Sequence, residues 1–190
     1  MPRDVDPRQR LADIAAATIR VARSEGTHAV TIRSVARELG GSTTLVTNYL
    51  PSRAALILNA LDQGRDRWQQ ELAATLADLE PSAHLRAVTD WALSSTTDDP
   101  VLRTLILEIV ANAAIEPVMA EALRHESTTF EAQLRTAAAA SGFADPEAVA
   151  DLAYLLIRGA YIASTEDPER WTDAHVREVI HSTIAAQPRA

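Results

Sequence analysis

With 190 residues, 47% of them apolar, the chain can bury a real core, either as one large domain or as a small one joined to a larger one; disordered and collagen-like classes are excluded. It has no cysteine, so disulfide frameworks, thiolate zinc sites and cysteine nucleophiles are excluded as well. A formal charge of −8 argues against a polyanionic partner when taken whole, but residues 1–56 carry a net +3 and residues 57–190 a net −11. The first residues, Met1 to Asp6, lack the apolar stretch of a signal peptide, and no run approaches the ~18 apolar residues of a membrane span. A cytoplasmic protein with no membrane partner is expected.

Helical periodicity dominates, and no alternating strand with a hairpin signal interrupts it. The first helix is predicted over 8–24, followed by short helices at 31–38 and 42–48. A fourth, over 52–79, carries Ile57, Leu61, Gly64, Trp68, Leu72, Leu76 and Leu79 at spacings of three and four, and its roughly 27 residues would reach about 40 Å. Prolines then punctuate the chain. Glu80-Pro81, Asp99-Pro100, Glu116-Pro117, Asp145-Pro146 and Asp167-Pro168 each put an acid before a proline, and Leu50-Pro51-Ser52 joins them. Proline at the first helical position forfeits no hydrogen bond, and the carboxylate before it complements the positive helix end. These starts predict helices over 82–96, 100–115, 117–141, 146–164 and 169–186, about nine in all and an all-α fold. Leu102, Leu105, Ile106, Ile109, Val110 and Ala113 mark one buried face of the sixth.

Within the basic segment, Thr31 is a good N-cap for a helix that buries Ile32, Val35, Ala36 and Leu39 and leaves Arg33 and Arg37 on another face. Gly40-Gly41 permits the tight left-handed turn that folds one helix back across another, as a helix-turn-helix demands. Ser42 caps the next helix, in which Thr43-Thr44-Leu45-Val46-Thr47-Asn48-Tyr49 gives Val46 to the core and is otherwise mostly small or hydrogen-bonding. Hydroxyls and an amide on a short helix without charge runs suit a major groove. Thr31 and Ser42 also read simply as caps, Arg37 as a surface charge, Tyr49 as packing over the fourth helix, and Arg53 as a partner for acids of the first.

The set Ile14, Ala16-Ala17, Gly26, Thr31-Ile32-Arg33, Val35-Ala36, Leu39-Gly40, Ser42, Val46, Tyr49-Leu50, Pro51-Ser52-Arg53 and Leu56 resembles, in order and spacing, the N-terminal segment of the tetracycline-repressor (TetR) family. The likeness covers about residues 10 to 58. The family more often ends its third helix with leucine-tyrosine-x-histidine-phenylalanine. Here Val46-Thr47-Asn48-Tyr49-Leu50 is similar to a subset with threonine first and tyrosine two later, which moves the aromatic phosphate contact to Tyr49. The resemblance implies phosphate contacts from Thr31, Thr47, Tyr49 and Arg53, and groove contacts from Arg33, Thr43, Thr44, Leu45 and Asn48, with Ser42 a cap that also touches DNA. It implies a three-helix helix-turn-helix DNA-binding domain over 1–50 and a helical ligand-binding and dimerisation domain over 51–190. The partners it implies are a palindromic double-stranded DNA operator, a second copy of the chain and a small-molecule inducer of unspecified chemistry.

The C-terminal part resembles the family only in its arrangement of helices. The eighth helix is apolar nearly all round, with Val149, Leu152, Ala153, Leu155, Leu156, Ile157, Ala160, Ile162 and Ala163, and must be covered on more than one side. The resemblance pairs it with the ninth helix in a four-helix dimer interface, for which Leu152, Leu155, Leu156, Ile162, Val176, Val179, Ile180 and Ile184 are the candidates. A central helix in a monomeric bundle is the alternative. A pocket among helices four to eight would take its walls from Trp68, Trp91, Met119, Phe130, Tyr154 and Tyr161, and its polar groups from Glu108, Asn112 and Arg158. Each also reads as core or surface, and the apolar bias favours a hydrophobic or amphipathic ligand.

No His-Glu-x-x-His, Gly-x-Ser-x-Gly, Gly-x-Gly-x-x-Gly or P-loop is present, so no enzyme is expected. His28, His84, His125, His175 and His181 lack metal-ligand spacing, and Glu121 with His125 is a pair common by chance, so neither metal nor cofactor is expected. The competing readings are an activator or protein-responsive regulator and, from another class, a helical lipid carrier or enzyme.

Overall fold

Proline sets where the helices begin. The computed structural model describes residues 6–97 and 100–190, of which 64–68, 95–97, 100, 102 and 103 are described as backbone alone. Among the described residues the fold is all-α, as expected. The helices are α1 (Pro7–Glu25), α2 (Ile32–Glu38), α3 (Thr43–Thr47), α4 (Arg53–Ala77), α5 (His84–Thr97), α6 (Pro100–Asn112), α7 (Pro117–Ala140), α8 (Pro146–Glu166) and α9 (Asp173–Ala185). Single 3-10 turns lie at Thr27–Ala29 and Pro81–Ala83, and one isolated bridge joins Phe143 to Arg189. Four helices start on a proline, and before two of them an aspartate carboxylate accepts a backbone N–H, Asp6 from Arg8 and Asp145 from Ala148.

Two predicted starts move. Asp167-Pro168 opens a turn in which Asp167 Oδ1 accepts the Arg170 N–H at 3.1 Å, and α9 begins only after Thr172, whose hydroxyl accepts the His175 N–H. Pro81 starts a 3-10 turn, which delays α5 to His84. At α4 the cap is Ser52, whose Oγ accepts the Ala55 N–H at 3.1 Å.

The chain divides into two compact units: Met1–Trp68 with Val101–Leu123, and Gln69–Pro100 with Arg124–Ala190. The first is built on Ile14, Ala17 and Val21 of α1, Val35 and Ala36 of α2, Val46 of α3, Leu56, Ile57 and Ala60 of α4, Leu105 and Ile109 of α6, and Met119 of α7. Buried Asn59 donates to the Leu11 carbonyl at 2.9 Å, fastening α1 to α4. Val110, expected on the buried face of α6, is exposed, because that face narrows to Leu105, Ile109 and a half-buried Ile106.

The second unit packs Leu85, Val88 and Leu93 of α5, Leu134 of α7, Val149, Ala153 and Ile157 of α8, and the whole apolar stripe of α9. That stripe, expected at a dimer interface, faces inward. Val176, Ile180 and Ile184, four residues apart, retain 5%, 1% and 8% exposure because a single stripe is consumed in covering α5 and α8 of their own chain. Leu152, Leu156 and Val179 are partly buried, whereas Leu155 at 67% and Ile162 at 52% stand exposed on α8.

A polar network also ties α9 to α5. Arg177 donates to Asp90 Oδ1 at 2.8 Å, Ser94 Oγ at 2.8 Å and Asp173 Oδ2 at 2.9 Å, and His181 Nε2 lies 3.0 Å from Asp90 Oδ1. Burial holds the His181 pKa below its ordinary 6.5, with Arg86 and Arg177 pushing the same way and Asp90 opposing. Protonation then costs folding free energy, so the stability this site contributes is full above pH 6.5 and is lost as the pH falls below it. Urea melts at pH 7.5 and 5.5 are expected to show a larger loss for the wild type than for His181→Gln; equal losses would count against this assignment.

Candidate DNA-reading head and sensor cluster

The head begins with a capping box. Thr31 Oγ1 accepts the Ser34 N–H at 3.0 Å, and Ser34 Oγ accepts the Thr31 N–H at 2.9 Å while donating to the Ala29 carbonyl at 2.7 Å. Ser34 was missed by sequence reasoning, although the spacing Thr31-Ile32-Arg33-Ser34 is that of such a box. After α2 the chain reverses at Gly40, whose φ of +66° only glycine adopts freely, and the Gly41 N–H reaches back to the Ala36 carbonyl at 2.9 Å. Gly41 itself has no positive φ. A Cβ there would stand 3.1 Å from Leu45 Cδ1, so the second glycine serves close packing. Leu45, a groove candidate, is thereby half-buried against the core of the head.

What α3 leaves outward is a row of neutral hydrogen-bonding groups. Ser42, Thr43, Thr44, Thr47 and Asn48 are exposed, and Tyr49 is 36% exposed. Ser42 sits at the N-cap position without a side-chain cap bond, so its hydroxyl is free of that duty. Arg33 projects from α2, exposed and without an acid partner among the described residues, whereas Arg37 is held by Glu25 at 3.0 Å and Arg20 by Glu38 at 2.6 Å. Those two exposed pairs link α1 to α2.

Arg53 is placed differently from its expected role at a phosphate. Its Nε donates to the Val30 carbonyl at 3.0 Å, Nη2 to the Thr27 carbonyl at 3.0 Å, and Nη1 to Glu108 Oε1 at 2.8 Å. Asn112 Nδ2 donates to the same Glu108 oxygen at 3.1 Å. Two residues expected in an inducer pocket, Glu108 and Asn112, are thus committed to holding Arg53, which explains polar groups inside an apolar helix. Arg53→Ala is expected to destabilise the protein by about 1–3 kcal/mol, discounted because the pair is partly exposed. It should leave the salt dependence of DNA binding unchanged, since a lost phosphate contact would lower that slope by about one unit. A denaturant melt and a salt series separate the two roles.

The remaining pocket candidates are divided between the two units. Met119 is fully buried in the core of the first unit, the side chain of Trp68 lies outside the described residues, and Trp91 packs against the core of the second. Phe130, Tyr154, Arg158 and Tyr161 do come together. The Phe130 and Tyr154 rings are 6.1 Å apart, and Arg158 Cζ lies 5.1, 5.9 and 6.0 Å from the ring centres of Tyr154, Phe130 and Tyr161. Tyr154 Oη is 2.9 Å from Ser127 Oγ, and Tyr161 Oη donates to the Ala92 carbonyl at 3.2 Å. Among the described residues, no group of three or more His, Asp or Glu is placed to hold a metal ion, and no helix is long and apolar enough to cross a membrane.

Residues 81–189 match the family described as BetI-type transcriptional repressor, C-terminal. Solved structures share the fold across nearly the whole chain. A TetR transcription regulator from Haloarcula marismortui is 21% identical with a TM-score of 0.84, covering 95% of this chain and 98% of its own. A transcriptional regulator from Saccharomonospora viridis in complex with choline is 17% identical with a TM-score of 0.82, covering 94% and 97%. A transcriptional regulator from Rhodococcus sp. Rha1 is 20% identical with a TM-score of 0.78, covering 92% and 94%. No curated protein matches the chain. With the BetI-type match spanning more than half its length, on a helical fold shared end to end with these regulators, the chain belongs to the TetR family of transcriptional regulators.

Proposed function

We propose that the chain is a cytoplasmic, dimeric repressor released from a palindromic operator by a small molecule, with residues 1–50 binding DNA and residues 51–190 sensing the ligand and pairing the subunits. The observation that carries the reading is the head. A capped α2 and a Gly40 turn present α3 with its hydroxyls and amide exposed and, like exposed Arg33 of α2, without a side-chain partner among the described residues. In the groove, Thr43, Thr44, Asn48 and Arg33 meet base edges, while Thr31, Ser42, Thr47 and Tyr49 meet phosphates. Leu155 and Ile162 on α8 supply the apolar centre of the dimer contact, flanked by Leu152, Leu156 and Val179. An inducer acts by preferring a dimer geometry in which the two heads no longer match the half-sites.

Binding of small molecules by structural neighbours, choline in one and imidazole in the multidrug binding protein EbrR, supports the sensor half of this reading. The test is linkage. A compound that raises the melting temperature of the full chain should weaken operator binding in proportion, and transcription from an operator-bearing template should rise. Tight ligand binding with unchanged operator affinity would remove the sensor role.

A further inference from the structure

Resting on the sensing role proposed above, we infer that the ligand carries an anionic head, a carboxylate or its equivalent, on an apolar body, and that Arg158 is its counter-ion. A cluster of aromatic faces ordinarily collects a cation. Here the chain has already placed one: the Arg158 guanidinium lies within 6.0 Å of three ring centres, those of Phe130, Tyr154 and Tyr161. A cationic ligand at this cluster would meet like charge, whereas an anion meets a guanidinium oriented by three rings.

The second observation is what Arg158 lacks. Residues 57–190 are strongly acidic, so pairing an arginine is easy, and Arg86, Arg135 and Arg177 all find acids. Among the described residues Arg158 pairs with none, and its buried Nε–H has no acceptor. A half-buried guanidinium without a carboxylate is costly to the empty fold, and a bidentate carboxylate is the group its planar fork fits. Phe130 and Tyr154, half-buried beside it, offer apolar surface to the body of the ligand, and the Ser127 and Tyr154 hydroxyls lie at the cluster's edge.

The experiment uses the full-length protein with probes matched in body and differing in charge: octanoate, octanamide and octyltrimethylammonium, then 4-phenylbutyrate and its amide, with choline as a small cation. Calorimetry is expected to rank each carboxylate about tenfold or more above its amide, the size of one charge-assisted hydrogen bond, and the cations last. Arg158→Gln should bring carboxylate binding down to the amide level, and Arg158→Lys should restore part of it. The ligand-free Arg158→Met protein should melt no lower than the wild type, which a merely structural arginine would not allow. Equal binding of carboxylate and amide, preference for a cation, or no binding of either carboxylate overturns the anion site. Operator release, followed in the same titrations, reports on sensing itself: a neutral or cationic probe that binds and releases DNA would sink the anion site and leave the sensor standing.

Discussion

Leu155→Arg is expected to leave the chain folded but monomeric, whereas Ile180→Arg is expected to abolish folding. Both residues lie on the last two helices and both are apolar, yet Leu155 is 67% exposed and Ile180 only 1%. Placing an unpaired charge at Ile180 buries it in the core of its own unit, at a cost of several kcal/mol, against a total stability of about 5–15 kcal/mol. At Leu155 the charge reaches water in the free chain and is buried only when a second α8 covers it. Circular dichroism should therefore keep its helical signal for Leu155→Arg while light scattering reports half the wild-type mass. Operator affinity should fall by orders of magnitude, because one head alone reads one half-site. A wild type that is monomeric at tens of micromolar, or a Leu155→Arg protein that stays dimeric, would remove α8 from the interface.

The contrast between these residues shows what the sequence carried and what it did not. Helix starts were legible at Pro100, Pro117 and Pro146, because proline's missing N–H has a meaning that needs no tertiary context. So was the reversal at Gly40, where backbone conformation alone demands glycine. Pro168 misled because the same local chemistry starts a turn as readily as a helix, and Thr172 four residues on offered the better cap. Periodicity showed that α9 has one apolar stripe but carries no information on whether its own chain or another covers it. Arg53 was illegible in a different way. Its use depends on Glu108, 55 residues away, and on two carbonyls whose direction is set only once the turn at Thr27–Ala29 has formed. In the head, by contrast, residues close in sequence are close in space, so Val35, Ala36 and Val46 could be read as core from spacing, whereas Leu45, a groove candidate only by resemblance, is drawn inward by its close approach to Gly41.

The second large effect concerns specificity. Arg33→Ala and Asn48→Ala are expected to cost about 1–3 kcal/mol on the preferred duplex, roughly ten- to a hundredfold, and much less on scrambled DNA. The reason is that both side chains are exposed and, among the described residues, without a partner, so removing either leaves the fold intact and forfeits only what it does at a base edge. Tyr49→Phe should instead weaken binding to all sequences alike, since a hydroxyl on a phosphate carries no base information. Binding measured on both duplexes across a salt series separates the classes. Equal losses on preferred and scrambled DNA for Arg33→Ala and Asn48→Ala would show that neither reads sequence.

The central claim, a two-headed reader of duplex DNA, is tested most directly by selecting bound duplexes from a random pool with the wild-type protein at physiological salt. The account predicts enrichment of a near-palindromic site whose half-site centres lie about one helical turn, ~34 Å, or a multiple of it apart, with protein bound in even numbers of chains. No enrichment, or enrichment of a single asymmetric half-site occupied by one chain, would contradict it.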